Sequence, residues 1–78
     1  MKTTRHGAES IRLRGIKEEW IQQVLRSPLE VQRQENGFFR RWGYIEEVSR
    51  YLRVVTLEDD ETIETVHFDR NYEKRRRK

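Results

Sequence analysis

The sequence predicts an α+β fold, with two N-terminal helices packed on a four-stranded, mostly antiparallel sheet in the order ααββββ. Three observations predict it. Ile16, Trp20, Ile21, Val24 and Leu25 recur at helical spacing on one face. Beyond Ser27-Pro28 the apolar pattern changes to period two, and proline disfavours helix in the residue before it. Turn signals then divide the remaining chain into segments suited to a meander.

Taken in order, Thr3 or Thr4 offers an N-cap oxygen, and residues 1–5 either fray or open the first helix. Residues 5–13, with Ala8, Ile11 and Leu13, read as a short helix weakened by Gly7, and Gly15 suits the position just past its end. The second helix carries the Ile16-to-Leu25 face and stops at Ser27-Pro28. Glu18 and Glu19 in its first turn and Arg26 in its last complement the helix dipole. Strands are expected over Leu29–Gln34, Phe38–Ile45, Tyr51–Leu57 and Thr62–Asp69. Their connections are Glu35-Asn36-Gly37, a polar stretch over residues 46–50, and a turn over Glu58–Glu61.

At 78 residues one domain is expected over residues 1–73, followed by a basic tail over 74–78. The chain has no cysteine, which removes disulfides and thiolate metal sites and favours a cytoplasmic location. No secretory h-region follows Met1–Arg5, and no apolar run approaches the ~20 residues of a membrane span, so no membrane partner is expected. Two histidines without neighbouring ligands predict no metal site, and no phosphate loop, dinucleotide fingerprint or serine triad spacing occurs, so no cofactor is expected. His6 reads as a structural residue, at a cap or beside Glu9. The net charge of +3 is concentrated in the tail: Lys74, Arg75, Arg76, Arg77 and Lys78 hold five charges, and the other 73 residues hold 12 basic and 14 acidic side chains. Such a run either solubilises or contacts nucleic acid.

The register of the last hairpin decides which side chains share a face. With Leu57 opposite Thr62, Arg53 meets Val66 and each face mixes charge with hydrophobe. With Glu58 opposite Thr62 around the loop Asp59-Asp60-Glu61, Leu52 meets Phe68 and Val54 meets Val66 on one face. The other face then pairs Leu57 with Ile63, Val55 with Thr65, Arg53 with His67 and Tyr51 with Asp69. A slip of one residue destroys that segregation, so the second register is preferred. It sends Leu52, Val54, Val66 and Phe68 to the helices and leaves Arg53, His67, Tyr51 and Asp69 on the open face, with Arg40 or Arg41 from the neighbouring strand beside them.

Arginine grips phosphate in a bidentate fork and histidine titrates near neutrality. Together they suit binding an RNA phosphate and moving a proton at a leaving 5′ oxygen. The alternative is a cross-strand polar pair that solvates the sheet. Phe38, Trp42 and Tyr44, interleaved with Arg40, suit either base stacking or core packing.

His6, then Arg14-Gly15-Ile16, a helix closing Val24-Leu25 before Pro28, and strands Phe39-Arg40-Arg41-Trp42, Leu52-Arg53-Val54-Val55 and Thr65-Val66-His67-Phe68 carry a resemblance over residues 6 to about 70. The chain resembles a small bacterial family of domains of unknown function, itself similar to the RelE/ParE superfamily of type II toxins. That resemblance implies two helices on an antiparallel sheet whose other face is functional. RelE-like members cleave mRNA without metal, using basic residues and an acid/base group on the last strands. Arg53 and His67, with Arg70 and Tyr72, are the positions that match here. Arg53 would hold the scissile phosphate and His67 would be the general acid or base. Arg70 completes the catalytic set, and Arg40, Arg41, Tyr72, Lys74, Arg75, Arg76, Arg77 and Lys78 would contact RNA. The implied partners are RNA or the ribosome, and an antitoxin protein. ParE-like members inhibit gyrase without a catalytic site, which makes a non-catalytic interaction module the second expectation.

Overall fold

The chain folds as two helices leading into a four-stranded antiparallel meander, the α+β arrangement expected. The computed structural model describes residues 1–72, so the expected tail over 74–78 lies outside the described residues. Helix α1 spans Arg5–Arg14 and α2 spans Glu18–Arg26. Strands β1 (Glu30–Arg33), β2 (Phe39–Ile45), β3 (Arg50–Thr56) and β4 (Ile63–Phe68) form one sheet in the order β1-β2-β3-β4.

Local signals set the helix ends. Thr4 Oγ1 accepts from the Gly7 N–H at 2.9 Å, and Gly15 closes α1 with φ 61°. The inner face of α1 is built from small residues. Its buried residues are Gly7 and Ser10, whereas Ala8 is exposed and Leu13 is 67 % exposed. A Cβ on Gly7 would lie 2.3 Å from the Ile63 carbonyl oxygen. Gly7 therefore lets the helix lie directly on the β4 backbone, which outweighs its poor helix propensity.

Residues 2–4 do not fray. The Ile63 N–H donates to Lys2 O and the Thr4 N–H donates to Ile63 O, both at 2.9 Å, in a short parallel bridge along β4. Ser10 Oγ accepts from the Val66 N–H at 3.2 Å and donates to Gly7 O at 2.9 Å. These contacts satisfy backbone groups on the outer edge of β4, which would otherwise invite another strand.

Ile16, Trp20, Ile21 and Val24 pack on Ile45, Leu52, Val54, Ile63 and Val66 to form the core, with Ile11, Leu25 and Phe68 at its margin. Helix α2 comes close to the sheet over Gly43, where a Cβ would sit 2.8 Å from Val24 Cγ2.

The β3–β4 hairpin combines the two registers considered. Leu52↔Phe68, Arg53↔His67, Val54↔Val66 and Val55↔Thr65 follow the preferred one. A bulge at Glu64 then shifts the pairing, so that Thr56 opposes Ile63 and the Leu57 N–H donates to Thr62 O. The shift turns Ile63 into the core instead of onto the opposite face beside Leu57. Turn chemistry supplies the reason. A three-residue loop would require Glu61 in the left-handed region, whereas the longer loop puts Asp60 there at φ 60° and lets Asp59 Oδ1 accept from the Glu61 and Thr62 N–H groups.

Candidate functional site

The face of the sheet turned away from the helices carries Arg40 and Trp42 from β2, Tyr51 and Arg53 from β3, and His67 from β4, because alternate residues of paired strands share a face. The register brings Arg53 Nη2 to 2.6 Å from His67 Nε2. A guanidinium only donates, so Nε2 is the acceptor and the neutral ring carries its proton on Nδ1. Burial, then the charges of Arg53 and Arg14, hold the His67 pKa below its ordinary 6.5, with Asp69 opposing. Arg53 Nη1 lies 3.7 Å from Asp69 Oδ2, while its buried Nε has no hydrogen-bond partner among the described residues. Burial also lowers the Arg53 pKa, reinforced by Arg40 and opposed by Asp69, yet an arginine stays charged at neutral pH.

Asp69 organises this face. Its Oδ2 accepts from Trp42 Nε1 at 2.9 Å and its Oδ1 accepts from the Tyr72 N–H at 3.0 Å. Burial alone would raise its pKa. The Trp42 and Tyr72 hydrogen bonds and the Arg53 charge outweigh that and hold the carboxyl below the usual aspartate value. Residues 70–72 are helical, and Asp69 caps them. The turn lays Tyr72 over the sheet. Its ring stacks on Trp42 at 4.9 Å and 10°, meets Tyr51 at 5.3 Å, and its hydroxyl donates to Glu30 Oε1 at 3.1 Å.

This arrangement corrects one expectation and decides between two readings that the sequence left open. Tyr72 is 1 % exposed and Trp42 2 %. Tyr72 is therefore not placed to contact RNA, because its ring is buried against Trp42. Of the two readings open for Trp42, base stacking and core packing, the structure gives core packing, while Tyr44 stays at the exposed rim, 5.0 Å from Tyr51. Arg41 is a second correction. It points to the helix side, where it pairs with Asp60 and lies 5.5 Å from the Phe39 ring. Arg40 shares the Arg53 face, and with Gln32, Arg53, Asp69 and Asn71 it rims a small recess of 220 Å³. His6 is exposed on α1.

Arg70 is exposed beside a second, larger opening. Arg14, Arg50, His67, Phe68 and Arg70 line a cleft of 460 Å³ at the end of the β3–β4 hairpin. The strand pattern places His67 and Arg70 near each other. It does not bring in Arg14 and Arg50, which come from the last turn of α1 and the first residue of β3. The Asp69 cap was more accessible from sequence, since aspartate is among the preferred N-cap residues.

No family model, curated protein or solved structure matches this chain. Among the described residues no three His, Asp or Glu side chains gather as a metal-binding group. No helix among them is long and apolar enough to cross a membrane.

Proposed function

We propose that the chain is an RNA-acting domain of the RelE-like toxin type, with His67 as the proton-transfer group of a metal-independent endoribonuclease and Arg53 as its phosphate ligand. The observation that carries this reading is the half-buried Arg53–His67 contact at 2.6 Å. The neutral imidazole suits a general base better than a general acid. In the free protein its Nε2 lone pair faces Arg53. A phosphodiester oxygen is a better guanidinium acceptor than imidazole, so an RNA phosphate arriving at Arg53 would release Nε2 at the place where a base is needed. Nε2 then takes the proton of the 2′-hydroxyl as that oxygen attacks phosphorus. The bond to the 5′ oxygen breaks, the leaving oxygen takes a proton from solvent water, the His67 imidazolium returns its proton to solvent, and Arg53 offsets the charge on the phosphate. Arg40, Arg70 and the stretch Lys74–Lys78 add attraction for the RNA backbone. The partner is RNA, free or on a ribosome, in the cytoplasm.

A non-catalytic module that binds an antitoxin or another protein is the second reading. It is favoured by the pairing of Arg53 with both His67 and Asp69, which holds the group together without a ligand. It is also favoured by β1, which pairs only with β2 among the described strands and exposes Val31, with exposed Leu29 just before it, for strand addition.

Cleavage of RNA by the wild type and by His67→Ala, with and without ribosomes and at matched circular dichroism, separates the two. Loss of the general base is expected to slow cleavage by about 100-fold or more. Equal rates in the two proteins, or no cleavage by the wild type, would overturn the enzyme reading.

A further inference from the structure

Arg14, Arg50 and Arg70 reach one cleft from three separate parts of the fold, the end of α1, the start of β3 and the turn after β4. Among the described residues, no carboxylate lies within ion-pair distance of any of the three, whereas Lys2, Lys17, Arg41 and Arg53 each have one. Asp69, next to Arg70 in sequence, directs its oxygens to Trp42, Tyr72 and Arg53. Three like charges around one opening repel each other unless an anion joins them. Arg50 is also braced. The Arg50 guanidinium lies over the Phe68 ring at 5.1 Å, and Phe68 packs against Trp20 at 6.1 Å. Stacking of this kind holds the fork of Arg50 in place and lessens the ordering cost of binding. His67 lines the same cleft, and with Nε2 turned to Arg53 its proton is on Nδ1.

We propose that Arg14, Arg50 and Arg70 bind the terminal phosphate of a nucleic-acid strand in the cleft beside His67. The charge count selects the ligand. An internal phosphodiester brings one negative charge. A terminal monoester brings about two at neutral pH and three acceptor oxygens, which better matches three guanidinium forks. The site deepens the RNA-acting reading, on which its choice of ligand rests, by naming the part of the strand that is held. It does not require His67 to cut.

The test is binding of short oligonucleotides whose 2′-hydroxyls are replaced by hydrogen, so that they cannot be cleaved by 2′ attack. Three forms are compared by titration calorimetry with the full chain: 5′-phosphorylated, 3′-phosphorylated and unphosphorylated. One phosphorylated form is expected to bind about tenfold tighter than the unphosphorylated one, as charge-assisted bidentate contacts predict. The double variant Arg14→Gln, Arg50→Gln is expected to abolish that preference. Both side chains are exposed, so the variant should keep the wild-type circular dichroism. Equal binding of all three forms would overturn the proposal, as would a preference that survives the double substitution. Inorganic phosphate binding as tightly as the phosphorylated strand would also overturn it, by making free phosphate the ligand. Because the probes are not cut, absence of cleavage by the wild type leaves this result standing, and equal binding here leaves the His67→Ala test standing.

Discussion

The two faces of the sheet are closed by different physics. Under the helices, Ile21, Val24, Leu52, Val54, Ile63 and Val66 are fully excluded from water, and burial of apolar area needs no particular direction. On the opposite face Trp42 and Tyr72 are as deeply buried, but a carboxylate, Asp69, and a guanidinium, Arg53, lie among them. Burial there requires each polar group to meet a partner in the right geometry. The first face tolerates shape-conserving exchange, whereas the second stands or falls with Asp69. A small domain has room for one large core. Among the described residues, a helical turn and the Tyr72 ring cover the second face.

The largest test of that comparison is Trp42→Ala, expected to cost about 3–5 kcal/mol, as for other buried aromatic truncations. Domains of this size hold only about 3–5 kcal/mol of net stability, so urea denaturation should find the variant mostly unfolded at 25 °C. A loss below about 1 kcal/mol would show that the face is a solvated surface and not a second core.

Gly7→Ala sharpens the contrast from the helix side and should cost about 1–3 kcal/mol by overpacking. Alanine is the better helix former by about 1 kcal/mol, but its Cβ would meet the Ile63 carbonyl oxygen, a backbone atom that cannot turn aside. A midpoint above wild type in thermal melting would show that α1 does not rest on β4 as described.

The smallest expected effect is the pH dependence of the polar face. The folded His67 has a lower pKa than the ordinary 6.5, so the unfolded chain binds the proton more readily. Its stabilising contribution is complete above pH 6.5 and is lost as pH falls through the folded value. Asp69, also lowered, adds a further loss as pH falls below its ordinary 3.8. For the half-buried His67 the change should be under about 1 kcal/mol after solvent screening. Denaturation at a series of pH values should show the first loss in the wild type and a flat line there in His67→Gln. A wild type that gains stability on acidification through this window would reverse the assignment of His67 as neutral.

Much of the fold was legible because its signals are local. Thr4, Gly15 and Pro28 bound the helices through caps and dihedral restrictions that need no tertiary context. The alternation in β3 and β4 put Arg53 beside His67 because a one-residue slip would have exposed Val54 and Val66. The exchange of register at Glu64 was not legible. Face segregation and turn chemistry ask for different pairings, and the bulge satisfies both. The packing of α1 was hidden for a related reason. Gly7 and Ser10 look weak on a helix until the β4 backbone lies against them.

By itself, then, the sequence determined the element order, the main face of each strand and the Arg53–His67 pairing, since periodicity and capping act between residues close along the chain. Only the tertiary structure decided that Tyr72 closes over Trp42, that Arg41 turns to the helix side, and that Arg14 and Arg50 meet at the His67 cleft. Those encounters join residues far apart in the chain, and their partners are set by how the elements pack against one another.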